Sequence, residues 1–232
     1  MKQNDFFKNP DTGDIVFYHG SKTGIVGQIT PDKSHGTTDF GNGFYLGTRK
    51  IQTLSRVSQE KAPFEYEFAI SSEYINDENT LKLNGEDWMY FVLFNCGKLE
   101  PLKGTQFYKH YESLADGKDF IIGPIADDIF DKCIMDFCEN NITDYTYINL
   151  INMFDYGTQV VAKSQRACDV LQLLSQSEIT KEQRKEIISN RKYSKKERFA
   201  LYEQRKSELN VERKGKYLTE IIKELKENGE GV

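Results

Sequence analysis

Only three histidines, four cysteines, five prolines and one tryptophan occur in 232 residues. Each scarcity closes a class of function. Cys96, Cys133, Cys138 and Cys168 form no C-x-x-C pair and have no histidines near them. Neither a disulfide framework nor a zinc site is expected, and the four read as reduced, mostly buried thiols. No G-x-x-x-x-G-K-[ST] and no G-x-G-x-x-G is present, because Gly41, Gly43 and Gly47 have the wrong spacing, and G-x-S-x-G and H-E-x-x-H are also missing. The standard phosphate loops, serine-hydrolase elbow and metalloprotease helix are thereby excluded. The longest apolar run, around Trp88 to Phe94, is far too short to span a bilayer, and no apolar stretch of signal-peptide length follows Met1. A cytoplasmic protein that does not enter the membrane is the expectation.

What is present is aromatic and charged. Thirteen Tyr and 15 Phe supply more burial surface than a disordered chain carries. The length suits one domain with an appendage, or two small domains. The net charge of −5 divides unevenly: residues 175–232 hold 15 Lys or Arg against 11 Asp or Glu, which leaves 16 against 25 for residues 1–174. An acidic body therefore precedes a mildly basic tail. In that tail Thr180 with Gln183, and Ser194 with Glu197, match the capping-box pattern, so two helices are expected, the second long. Apolar residues recur at three- and four-residue steps and end in a seam of Leu218, Ile221, Ile222 and Leu225, sparse around Arg213. Acidic residues interleave with the basic ones, as in Glu203 to Glu208, which reads as a solvated helix face before it reads as a nucleic-acid stripe. The seam suggests a protein partner.

The body reads as α+β. Short strand-like runs lie at Asp14–Tyr18, Glu65–Ile70, Phe120–Ile122 and Gln159–Ala162; helical patterns lie at Glu86–Cys96, Ala126–Glu139 and Ile142–Phe154. They alternate without a βαβ period. We place the body at residues 1–175 and a charged helical extension at 176–232.

Chemistry concentrates in a few segments. Tyr18-His19-Gly20-Ser21 puts a histidine at a strand exit, before a glycine that lets a ligand approach the backbone. A satisfied structural histidine is the plain alternative. Asp39-Phe40-Gly41-Asn42-Gly43-Phe44-Tyr45 delivers two rings from a glycine-flanked turn, suited either to stacking on a planar ligand or to the core. Ile122-Gly123-Pro124-Ile125-Ala126-Asp127-Asp128 runs from a strand into a helix whose dipole the aspartates complement.

In this order, and with Trp88 between the last two, these segments resemble the DUF3990 family of bacterial proteins, itself similar to the ADP-ribosyltransferase superfamily. The resemblance covers roughly residues 15 to 175. It implies a split antiparallel sheet that presents a His, a Tyr and a Glu around NAD, matched by position to His19, Tyr45 and Gln159. Gln stands where the superfamily's best-known members carry Glu. His19 is then expected on ribose hydroxyls, Gly20 on the nicotinamide amide and Tyr45 on the nicotinamide ring, with Ser21, Phe44, Asp127 and Asp128 completing the NAD contacts. An amide neither carries negative charge nor accepts a proton at neutral pH, so a carboxylate must come from elsewhere, with Asp127 or Asp128 nearest by motif. The resemblance implies an NAD-dependent ADP-ribosyltransferase acting on an unidentified macromolecule, in a toxin or defence setting with a cognate antitoxin. An NAD glycohydrolase, an inactive NAD-binding or interaction module, and a tail that binds nucleic acid stay open as alternatives.

Overall fold

The computed structural model describes residues 8–9, 12–33, 38–125, 128–151, 153–154, 157–189 and 194–227. Its elements in chain order are β1 (Ile15–Ser21), β2 (Phe44–Gly47), α1 (Lys50–Ser55), β3 (Phe64–Ile70), β4 (Thr80–Lys82), α2 (Gly85–Asn95), α3 (Gln106–Ser113), β5 (Phe120–Pro124), α4 (Asp128–Cys138), α5 (Asp144–Ile151), β6 (Thr158–Ala162), α6 (Gln165–Asp169), β7 (Gln172–Glu178), α7 (Lys181–Ser189), α8 (Lys195–Val211) and α9 (Leu218–Glu227). The strands form one sheet in the order β4-β5-β6-β2-β1-β3-β7. Only β4 and β5 are parallel; every other neighbour is antiparallel. The fold is thus α+β, as expected.

Among the described residues the chain forms two compact units. The first, drawn from 1–84, 117–125 and 156–192, holds the sheet with α1, α6 and α7. Successive side chains of a strand point to opposite faces, so the cross-strand register sorts them. One face gathers Phe17, Phe44, Leu46, Tyr66, Phe68, Phe120, Ile122, Val160 and Ala162 into the core, with Ala167 and Cys168 of α6 against them. Each of the large aliphatic and Phe side chains among them stabilises the fold by roughly 1.5–3 kcal/mol. On the other face Leu54 and Val57 meet Ile179, just after β7, and Ile187 of α7.

The second unit is helical and takes residues from 85–116, 126–155 and 193–232. Trp88 stacks on Phe130 at 5.0 Å and Phe137 lies 5.2 Å from Tyr147, all four buried. Asp136 of α4 is almost wholly enclosed and ties α8 down: its carboxylate accepts from Tyr202 Oη at 2.7 Å, Lys206 Nζ at 2.9 Å and Lys132 Nζ at 2.5 Å. Burial by itself would raise the Asp136 pKa, but those donors and Asn141 overcome it and hold the carboxyl down at about 2.

Both expected capping boxes form. Thr180 Oγ1 accepts from Gln183 N while Gln183 Oε1 accepts from Thr180 N, and Ser194 with Glu197 does the same at the start of α8. The tail differs from its reading in three respects. The division expected at residue 175 falls inside β7, an edge strand of Gln-Leu-Leu-Ser-Gln-Ser-Glu that lacks alternation and exists because β3 pairs with it. The segment expected as one extension is shared, α7 belonging to the first unit and α8 and α9 to the second. The long helix breaks between α8 and α9, where Arg213 and Gly215 take left-handed backbone with φ of 51° and 80°. The seam offered to a partner is in part already covered by the chain itself, since Leu218 and Ile221 of α9 are buried. No helix among the described residues is long and apolar enough to cross a membrane. No disulfide joins the four cysteines; Cys133 and Cys168 are buried, Cys96 and Cys138 half-buried.

Candidate functional site

His19, Tyr45 and Gln159 sit on β1, β2 and β6, three strands that are consecutive in the sheet. Tyr45 pairs with Val161 and Gly47 with Gln159, while Tyr18 pairs with Gly47. The pleat then puts Tyr45 and Gln159 on one face and His19 on the other. Sequence alone led us to expect all three in a single cleft. The structure brings Tyr45 and Gln159 together and sends the His19 side chain to the Phe44 face.

His19 lies where β1 and β2 part. The two strands are paired through Tyr18 and Gly47 alone, whereas β1 pairs with β3 along its whole length. Beyond that single rung the imidazole replaces the ladder: His19 Nδ1 is 2.7 Å from the carbonyl oxygen of Tyr45. A carbonyl only accepts, so Nδ1 carries the hydrogen and Nε2 keeps a lone pair. The ring stacks on Phe44 at 4.4 Å and tilts against Tyr66 at 6.1 Å. Burial pushes the His19 pKa below the usual histidine value, the bond to Tyr45 pulling weakly the other way, so the neutral imidazole is the working form.

Gly20 is explained by packing before any ligand is invoked, because a Cβ there would lie 2.8 Å from Val57 Cγ2. Ser21 ends β1 opposite Phe64 and is half-buried. Phe44 is largely buried in the core under His19, so it supports the imidazole and does not present an open ring.

On the opposite face, residues 38–43 fold over Tyr45 and Gln159. Tyr45 Oη donates to Gly41 O at 2.7 Å and accepts from Phe40 N at 3.0 Å. Burial pushes the phenol up to about 12, so it stays protonated and bonded into the turn. Gln159, 4% exposed, donates from Nε2 to Asp39 Oδ2 at 3.1 Å and to Pro124 O at 2.9 Å. Lys163 Nζ donates to Phe40 O at 2.6 Å and also to Asn42 O, and burial lowers its pKa to about 8. Gly43 must be glycine here, because a Cβ would collide with Val161 Cγ1 and lie 3.0 Å from Ala162 O.

Two aspartates were also expected among the NAD contacts. Asp127 lies outside the described residues, and Asp128 opens α4, in the second unit. Sequence reading missed Asp39 and Lys163 as anchors of the turn. Asp39 lay inside the quoted glycine motif, but nothing in one sequence links it to a glutamine 120 positions away. No group of residues that would hold a metal ion occurs among the described residues.

No curated protein and no solved structure matches the chain. A family model described as "Protein of unknown function (DUF3990)" matches residues 15–173, which include β1 through β6 and all three residues of the candidate site. With more than half of its length matched, the chain belongs to the DUF3990 family.

Proposed function

We propose that this protein binds NAD across the parting of β1 and β2 and transfers ADP-ribose from it to a macromolecular acceptor. One observation carries the reading: His19 is held by Tyr45 O at 2.7 Å, neutral, with Nε2 free to accept from a ribose hydroxyl, at the point where the β1–β2 ladder stops. A dinucleotide has two riboses, and two holding groups on adjacent strands suit it even when their side chains leave the sheet on opposite faces. His19 holds one ribose. The turn around Tyr45 and Gln159 then receives the nicotinamide riboside end. Departure of nicotinamide develops positive charge on the sugar, so groups that fix the leaving ring and face the developing cation lower the barrier.

A second reading is favoured by Gln159. Both of its Nε2 hydrogens are taken, by Asp39 and by Pro124 O, and the side chain is buried, as in a structural amide. An NAD-binding module without transfer fits that arrangement. Incubating the protein with adenine-labelled NAD, with and without cell extract, separates the possibilities. Label on macromolecules supports transfer, free nicotinamide without such label indicates hydrolysis, and saturable binding without either indicates the module. No binding at all refutes the NAD reading.

A further inference from the structure

The amide at position 159 leaves the proposed site without an acid on β6, yet the same amide presents one. Gln159 Nε2 donates to Asp39 Oδ2 at 3.1 Å and anchors itself on Pro124 O at 2.9 Å, so that Asp39 is carried on a buried, doubly bonded support. Among the described residues Asp39 Oδ1 has no hydrogen-bond partner, and Asp39 itself is half-buried. Its backbone is fixed as well. Thr38 Oγ1 donates to Gly41 O at 2.6 Å, Tyr45 Oη bonds both Gly41 and Phe40, and Lys163 Nζ holds Phe40 O at 2.6 Å. A carboxylate on a turn pinned at this many points, with one oxygen oriented and the other unused, is a preorganised acceptor of protons.

We infer that Asp39 is the catalytic carboxylate of this site and that Gln159 is its positioning residue. The inference rests on the NAD reading above. In the step it describes, the bond between C1′ of the ribose and the nicotinamide nitrogen breaks, and its electron pair leaves with neutral nicotinamide. A hydroxyl or amine of the acceptor forms the new bond to C1′, and its proton passes to Asp39 Oδ1 and then to water. Before that transfer the negative charge of Asp39 faces the cationic sugar, which it stabilises more than the neutral one.

The test compares the full chain with Asp39→Asn and Asp39→Ala, by NAD calorimetry and by nicotinamide release. Asp39→Asn keeps a carbonyl oxygen for the Gln159 amide and so keeps the turn. It should hold NAD affinity within about twofold while the rate of release drops by about 10²–10⁴-fold, the usual contribution of a positioned acid–base group. Added formate should partly restore nicotinamide release by Asp39→Ala. An Asp39→Asn protein that releases nicotinamide at the wild-type rate overturns the inference and leaves the NAD reading intact. So does one whose affinity, rate and melting temperature fall together, the sign of a purely structural role. A wild-type protein that binds NAD and never cleaves it removes the catalytic role while preserving binding. A wild-type protein that does not bind NAD removes both.

Discussion

His19 donates its Nδ1 hydrogen to the carbonyl oxygen of Tyr45 across 2.7 Å, so a side chain does the work of a backbone rung where β1 and β2 separate. The tautomer and the ring orientation of the imidazole follow from that one bond, and its neutral charge state from burial. The ring's stacking on Phe44 keeps it in place.

Titration of His19 by NMR should therefore show a pKa below the usual histidine value. The folded state resists the proton that the unfolded chain accepts, so stability from this group is present at neutral pH and above and is lost as pH falls through the folded pKa. His19→Ala should weaken NAD binding by about 1 kcal/mol or more, the scale of a lost hydrogen bond, read by calorimetry. Unchanged affinity would move the ligand away from β1.

Replacing Gln159 by Glu is, by sequence logic alone, a repair of the missing acid. Its neighbours reverse that expectation. A carboxylate there would face the Asp39 carboxylate and the carbonyl oxygen of Pro124, both acceptors, at a position that is only 4% exposed. Gln159→Glu should lower stability by about 1–3 kcal/mol and leave nicotinamide release no faster than wild type, measured by urea denaturation and a release assay. A faster, equally stable variant would show that the turn over residues 38–43 rearranges.

Asp136 gives the second unit a pH dependence. Its folded pKa lies at about 2 against an ordinary 3.8, so the native state holds fewer protons between those values. Stability from this group is complete above 3.8 and is lost as pH falls to about 2. Tyr202→Phe removes the 2.7 Å bond to Asp136 and should cost about 1.5–3 kcal/mol in urea denaturation at neutral pH. A series of urea midpoints from pH 5 downward should flatten in Asp136→Asn if the carboxylate is the group responsible.

Deleting residues 194–232 should unfold or aggregate the helical unit. Tyr202 and Leu209 of α8 are 0% and 1% exposed, and the deletion also removes Tyr202 and Lys206 as donors to Asp136. A truncated chain with the helical content and cooperative melting expected of an intact second unit would contradict the packing and return α8 and α9 to the role of a partner-binding extension.

Local grammar alone revealed a good share of the fold. Glu65–Ile70 alternates and becomes β3, Glu86–Cys96 becomes α2, and two capping boxes start α7 and α8 at the expected residues. These signals are legible because capping and amphipathic periodicity act within four residues of each other. β7 was hidden for the opposite reason: an exposed edge strand needs no pattern of its own, only a neighbour to bond to.

The candidate site divides along the same line. His19, Tyr45 and Gln159 were identifiable as residue types in order along the chain, and their three strands do adjoin in the sheet. Which face each side chain takes depends on register, and a single residue of register reverses it. Gln159 binds Asp39 from 120 positions away, and no local rule carries that information. Order and chemical type belong to the sequence by itself, because they are properties of the chain; facing, partnering and protonation were decided by the tertiary structure, because they are properties of distances between strands.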